Sequence, residues 1–207
     1  MLLSSAYLPP VWYVAKLAAC EGQEVRIEQY DHYLKQTYRN RCCIVGPTGV
    51  QSLTVPTEKG TEQKTLMRDV RISEHGNWRH LHWNALVSSY ASTPFFLYYA
   101  DDFRPFYERR FEFLFDFNLQ LLELVCRLID IHPLLKPTES FSPEGVEDDF
   151  RELIHPKHDY QLDSTFHPAP YYQVFRERTG FIPNLSVVDL LFNMGPESLL
   201  VLHESCR

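Results

Sequence analysis

Leu2-Leu3-Ser4-Ser5-Ala6-Tyr7-Leu8-Pro9-Pro10-Val11-Trp12-Tyr13-Val14-Ala15-Lys16-Leu17-Ala18-Ala19-Cys20, followed by Gly22 and then Glu24-Val25-Arg26-Ile27-Glu28-Gln29-Tyr30, decides the fold class. Leu2 to Tyr7 reads as a short buried strand and Leu8 to Pro10 as a turn. Val11 to Cys20 reads as a helix with Pro10 near its first position, where a missing N–H costs little. Gly22 ends it. Glu24 to Tyr30 sets Val25, Ile27 and Gln29 against Arg26, Glu28 and Tyr30, which is strand spacing. Strand, helix and strand in succession predict a parallel pair, because parallel strands need a crossover between them. The class implied is α/β.

Outward from this unit, Arg41 to Val45 and Val50 to Val55 flank Gly46-Pro47-Thr48-Gly49, a turn cluster that predicts an antiparallel hairpin. Leu66 to Ile72 is a further candidate strand, after a polar stretch from Glu58 to Lys64 that reads as a loop. The sheet expected is small and mixed. From Asn77, read as an N-cap, the period becomes helical through Trp78, Leu81, His82, Ala85, Leu86 and Ser89. Phe103 to Ile129 carries the strongest helical pattern. Phe103, Phe106, Tyr107, Leu114, Phe117, Leu121, Leu124, Val125 and Leu128 share one face, with Glu108, Glu112, Asp116, Glu123 and Arg127 opposite. Glu123 and Arg127 stand in the favourable order for an ion pair four residues apart.

Pro133 to Pro170 is rich in proline and has no sustained period, so it reads as an irregular excursion, a lid or a loop. Ser186 with Asp189 reads as a capping-box variant. Gly195-Pro196 ends that helix, with Asn193 helping to end it, and starts another that finishes near Leu202. The prediction is one α/β domain over residues 1–207, with helices flanking the small mixed sheet and a helical C-terminal half.

A chain of 207 residues buries roughly 70% of the surface its unfolded form exposes. Aromatic residues at 14% with charged residues at 23% are a folded rather than a disordered composition. The net charge of −7 offers no general attraction to nucleic acid or to an anionic membrane, so any anion site must be local. No apolar run reaches the roughly 18 residues a membrane span needs, and no secretory leader pattern opens the chain. Cys20, Cys42, Cys43, Cys126 and Cys206 are odd in number, and Cys42 and Cys43 fall on opposite strand faces, which predicts reduced structural thiols and a cytoplasmic protein.

The compact phosphate-loop, dinucleotide, nucleophile-elbow and zinc-protease motifs do not occur, and the sequence names no cofactor. His80 and His82 point to different helix faces, so no metal site is expected from the histidines around them. His82 lies within an apolar stripe, where an imidazole is either a core residue with a backbone partner or a proton-transfer group; it is the catalytic candidate. Lys35-Gln36-Thr37-Tyr38-Arg39-Asn40-Arg41 concentrates three cations, and forked guanidiniums suit phosphate or carboxylate recognition. Tyr7 follows the first strand, where parallel sheets bind ligands. The expected ligand site therefore brings Tyr7, Lys35, Arg39, Asn40 and Arg41 together with His82 around a phosphate- or carboxylate-bearing small molecule.

Three blocks in order resemble the WbqC-like family. They are Ser5-Ala6-Tyr7-Leu8-Pro9-Pro10 with Tyr13, then Tyr38-Arg39-Asn40-Arg41 followed by Leu53-Thr54-Val55-Pro56, and Ile182-Pro183-Asn184-Leu185-Ser186-Val187-Val188-Asp189-Leu190-Leu191-Phe192-Asn193. Many members carry Gln-Pro before the tyrosine where this chain has Ser5-Ala6, and Gly-Tyr-Phe where it has Trp12-Tyr13-Val14. The stretch Pro133 to Pro170 is also short for the second α/β half found elsewhere in the family. The family takes its name from bacterial surface-polysaccharide gene clusters. The resemblance therefore implies a group-transfer enzyme acting on a nucleotide-linked sugar or another phosphate-activated small molecule. The residues leave open a second class, a non-catalytic binding or scaffold protein presenting aromatics such as Phe95, Phe96, Tyr98 and Tyr99.

Overall fold

The computed structural model describes residues 1–58, 64–143 and 148–206. Leu2–Ser4 (β1), Val11–Ala18 (α1) and Glu24–Glu28 (β2) form the strand-helix-strand unit, with β1 and β2 parallel and Ser4 opposite Glu28. Leu2 and Leu3 are wholly buried and α1 is buried along its entire length, Lys16 included. Covering a parallel sheet with helices explains why this segment is nearly continuous in apolar residues. Arg41–Gly46 (β3) and Gly49–Thr54 (β4) pair antiparallel from Arg41 opposite Thr54 to Gly46 opposite Gly49. Gly49 takes a φ of 110°, a conformation that glycine adopts without penalty.

Trp78–Tyr90 (α2), Phe96–Glu108 (α3) and Leu114–Ile129 (α4) follow, then Leu134–Pro137 (β5), Arg176–Thr179 (α5), Val187–Met194 (α6) and Ser198–Ser205 (α7). Helix α1 packs on α6 and α7, while α2 meets α3, β3 and α6. The ring of Phe192 on α6 lies 5.1–5.4 Å from those of Tyr90, Phe96 and Phe103, so one side chain joins α6 to α2 and α3. No helix among the described residues is long and apolar enough to cross a membrane. All five cysteines are free thiols.

The α/β class and the helical C-terminal half are as expected, and four local features differ. The hairpin keeps its own ladder, and the third strand of the main sheet is β5, parallel to β2 with Glu24 opposite Leu134. That strand comes from the stretch read as irregular. It is four residues long and ends on Pro137, which an edge strand tolerates. Leu66 to Ile72 is not a strand but a 3₁₀ turn, Met67–Asp69, held by single bridges from Leu66 to His32 and from Ile72 to Thr57. The polar stretch read as a loop at 58–64 lies mostly outside the described residues.

The long helix is two helices. Pro105 sits in the last turns of α3, and Arg109 and Phe113 are extended. The Ile72 N–H donates to the Glu112 carbonyl and the Leu114 N–H to the Val70 carbonyl, each at 2.9 Å, so the break is bonded to the 70–72 segment. The apolar face survives on both halves, with Phe103, Leu114, Phe117, Leu121 and Val125 wholly buried. Arg127 pairs with Asp102 of α3 at 3.3 Å rather than with Glu123, because the break folds α3 back beside α4.

Candidate functional site

The carboxyl end of β1 opens onto a narrow cleft. Ser4, Ser5, Thr37, Tyr38, Arg39 and His155 supply its polar lining, and Phe150 and Ile154 an apolar wall. Its free volume is about 10 Å³, room for one water-sized group. The main chain is tied here from several directions. The Tyr7 N–H donates to the Tyr38 carbonyl at 2.8 Å, the Tyr13 hydroxyl to the Ser4 carbonyl at 2.9 Å, and the Asn118 amide to both Ser5 Oγ and the Arg39 carbonyl. Leu8, in the turn that follows, has a φ of 40°, a strained value for a branched residue.

Arg39 is only 3% exposed. Its Nη2 donates to Asp31 Oδ2 at 3.2 Å, one bond for a group with five N–H donors. Asp31 is shared with Arg151, whose Nη1 lies 3.6 Å from Asp31 and 3.4 Å from Glu28, and whose Nη2 lies 2.7 Å from Asp149. Glu28, at the end of β2, is saturated: it accepts from the Tyr30 and Ser142 N–H groups and from Thr138 Oγ1 as well. Burial raises the pKa of Asp31 against the pull of the two arginines. Ser4 Oγ is buried with no hydrogen-bond partner in the protein. Burial, then the neighbouring His158, lowers the pKa of His155, and its Nδ1 accepts from the Lys157 N–H at 3.1 Å. A neutral His155 therefore carries its proton on Nε2.

The six residues expected to converge fall into three groups. Arg39 lines the cleft. Tyr7 and His82 meet in the core, the Tyr7 hydroxyl 2.9 Å from His82 Nδ1 and 3.0 Å from the Tyr107 hydroxyl. Burial lowers the His82 pKa to about 4, and the imidazole also bonds the Thr54 carbonyl. A neutral ring donating from Nε2 to Thr54 accepts at Nδ1, so Tyr7 donates to His82 and Tyr107 to Tyr7. His82 is thus a core histidine with its ring nitrogens committed. Asn40 is also buried, its Nδ2 donating to the Val55 carbonyl at 3.1 Å. Lys35 is exposed, and Arg41 stands on the hairpin with Nε 3.4 Å from Thr54 Oγ1.

Capping roles are reassigned as well. Asn77 adopts a left-handed conformation and makes no side-chain cap. Ser186 Oγ donates to the Leu8 carbonyl at 2.8 Å, and the carboxylate of Asp189 is wholly buried and accepts from Tyr90, Tyr171 and Gln173. Burial raises the Asp189 pKa to about 6 against those donors. Asn193, next to last in α6, accepts from the Val174 N–H and donates to the Asp189 carbonyl of its own helix. The block around Ser186 is a clamp: the Ser186 N–H donates to the Cys43 carbonyl and the Val187 N–H to that of Pro9.

Sequence reading missed Ser4, Asp31, Arg151 and His155. Arg151 and His155 lie in the stretch without periodicity, where no pattern locates a side chain. Asp31 is set apart only by its place just past β2. Among the described residues no group of three or more His, Cys, Asp or Glu side chains could hold a metal ion.

Comparison with known proteins places this geometry in a family context. A Mycobacterium tuberculosis protein described as uncharacterized is 26% identical over 222 residues, covering 95% of this chain and 94% of its own length. No solved structure matches. The model of the WbqC-like protein family matches residues 4–154, which run from the last residue of β1 through the cleft turn, Arg39 and the hairpin, while the Ser186 block lies beyond the match. By that match, over well more than half of its length, the chain belongs to the WbqC-like protein family.

Proposed function

We propose that the chain binds a phosphate- or carboxylate-bearing small molecule in the cleft at Arg39. On this reading it acts as a group-transfer enzyme on a nucleotide-linked sugar or another phosphate-activated compound of bacterial surface-polysaccharide assembly. One observation carries the ligand site: a buried guanidinium with unspent donors and a buried hydroxyl without a protein partner line the same cleft. Leaving the buried Ser4 hydroxyl unbonded costs about 1–3 kcal/mol, a cost that a bound ligand removes. The position beyond the carboxyl ends of parallel strands is where open α/β sheets hold ligands. His155 on the rim, held neutral by burial, supplies an imidazole able to exchange a proton with the ligand. Membership of the family supports the pathway through its name alone.

A thermal-shift screen of the purified protein against nucleotides, nucleotide-sugars and amino-acid or acyl donors tests this reading, since a specific ligand raises apparent stability by mass action. Ser4→Ala is the decisive variant. The hydroxyl makes no bond within the protein, so its loss leaves the unliganded melting temperature unchanged or higher while weakening the ligand shift. Arg39→Lys keeps the charge beside Asp31 but loses the fork, and weakens binding too. A ligand that shifts parent and both variants alike would exclude the cleft. The second reading, a non-catalytic binding or scaffold protein, draws on Leu97 and Tyr98, adjacent and 78% and 77% exposed at the start of α3. It gains if no small molecule shifts the parent.

A further inference from the structure

In α/β folds a phosphate after the first strand is held by the free N–H groups at the next helix's N-terminus. In this chain the first of those groups are absent or already used. Pro9 and Pro10 have no N–H at all. The Val11 N–H donates to the Leu185 carbonyl at 2.9 Å, and the Trp12 N–H to Asn184 Oδ1 at 3.0 Å. The clamp from the Ser186 block has therefore taken the place a phosphoryl group would occupy on α1. What the cleft offers instead is side chains, with Arg39 and the unpartnered Ser4 hydroxyl beside Ser5, Thr37, Tyr38 and His155.

Charge points the same way. The ion-paired cluster behind the cleft contains two guanidiniums, Arg39 and Arg151, and three carboxylates, Glu28, Asp31 and Asp149, and so carries one net negative charge. Arg26 acts on Asp149 only from beyond contact distance. A dianionic phosphate brought against Arg39 would meet Asp31 on the guanidinium's other side, whereas a monoanion meets half that repulsion. Shape agrees with charge. A planar carboxylate presents two oxygens in one plane, which a guanidinium edge matches with two parallel N–H bonds. A tetrahedral phosphoryl group projects three oxygens, of which one guanidinium edge matches only two.

We infer that the group seated at Arg39 is a carboxylate, and that any phosphate of the substrate lies outside the cleft. This rests on the reading of the Arg39 cleft as the ligand site and narrows it to carboxylate-bearing molecules such as amino acids, acyl groups or sugar acids.

The test uses the full chain and two probes, sodium acetate and inorganic phosphate, at matched ionic strength with sodium chloride as the control. Binding is read from the Arg39 side-chain N–H resonances, assigned by comparison with Arg39→Lys. Acetate should shift them saturably and bind at least about tenfold more tightly than phosphate, and Ser4→Ala should weaken acetate by about tenfold. Phosphate binding as tightly as acetate, or more tightly, would overturn the carboxylate assignment and leave the Arg39 site standing. If neither anion moves the Arg39 resonances beyond the chloride control, the site itself fails and the carboxylate assignment falls with it.

Discussion

At the scale of single residues, burial decides what a polar side chain does. His82 and Arg39 were both chosen for their chemistry. The structure commits the imidazole to Tyr7 and Thr54 while leaving the guanidinium donors to spare. The consequence for His82 is measurable. Its pKa falls from 6.5 to about 4 on folding because burial penalises the cation. The unfolded chain thus binds the extra proton, so the stability tied to neutral His82 is complete above pH 6.5 and is lost as pH falls toward 4. Asp189 acts in the opposite sense: with its pKa raised from 3.8 to about 6, its contribution is lost as pH rises through 6. Denaturant unfolding of parent and His82→Gln separates the two. The parent should lose about 2 kcal/mol more than the variant between pH 7 and pH 5. Parallel pH profiles would mean that His82 is not buried neutral.

At the scale of elements, pattern found the faces and packing set the ends. The apolar stripe from Phe103 to Leu128 is real, yet the chain breaks at 109–113, where the backbone bonds Val70 and Ile72 rather than itself. Leu121→Ala, wholly buried on α4, should cost about 2–5 kcal/mol in equilibrium unfolding. Arg127→Ala should cost less than about 1 kcal/mol, because the Arg127–Asp102 pair lies in solvent at 69% and 38% exposure. A larger loss at Arg127 than at Leu121 would reverse the assignment of the two faces. Gly195 shows an end that sequence did announce. Its φ of 56° suits glycine, and a Cβ there would lie 2.4 Å from the Phe95 ring, so position 195 admits no side chain.

At the scale of the molecule, the C-terminal third is fastened to the first helix by buried polar bonds. Asp163, in the stretch read as irregular, accepts from Trp12 Nε1 at 2.8 Å and pairs with Lys16 at 2.5 Å, and both charged side chains are buried. Burial disfavours the Asp163 carboxylate, but hydrogen bonds from Lys16, Thr165 and Trp12 outweigh it and lower its pKa to about 2. Its stabilisation is therefore complete above the ordinary value of 3.8 and is lost as pH falls through about 2. Removing one partner strands the other in the interior. Asp163→Ala should cost about 3–5 kcal/mol, and urea unfolding at neutral pH measures it. A loss below about 1 kcal/mol would show the pair to be solvated.

Local sequence was enough to determine the strand-helix-strand unit, the hairpin and the helical faces, because each rests on side-chain periodicity and on turn residues within one short segment. It also marked Arg39 as a candidate for anion binding, since a guanidinium in a cluster of cations is legible without a fold. Which of its neighbours share the site was decided by tertiary structure. Arg39 and Arg151 meet at Asp31 only when β1, β2 and the 149–155 segment come together, and no spacing records such a contact. The same holds for β5, whose four residues become a strand only by pairing with β2. Tyr7 and His82 were drawn together as expected, but into the core. Whether a polar side chain faces a cleft or a buried partner depends on residues distant in sequence that surround it, and that is a property of the packed chain rather than of any segment.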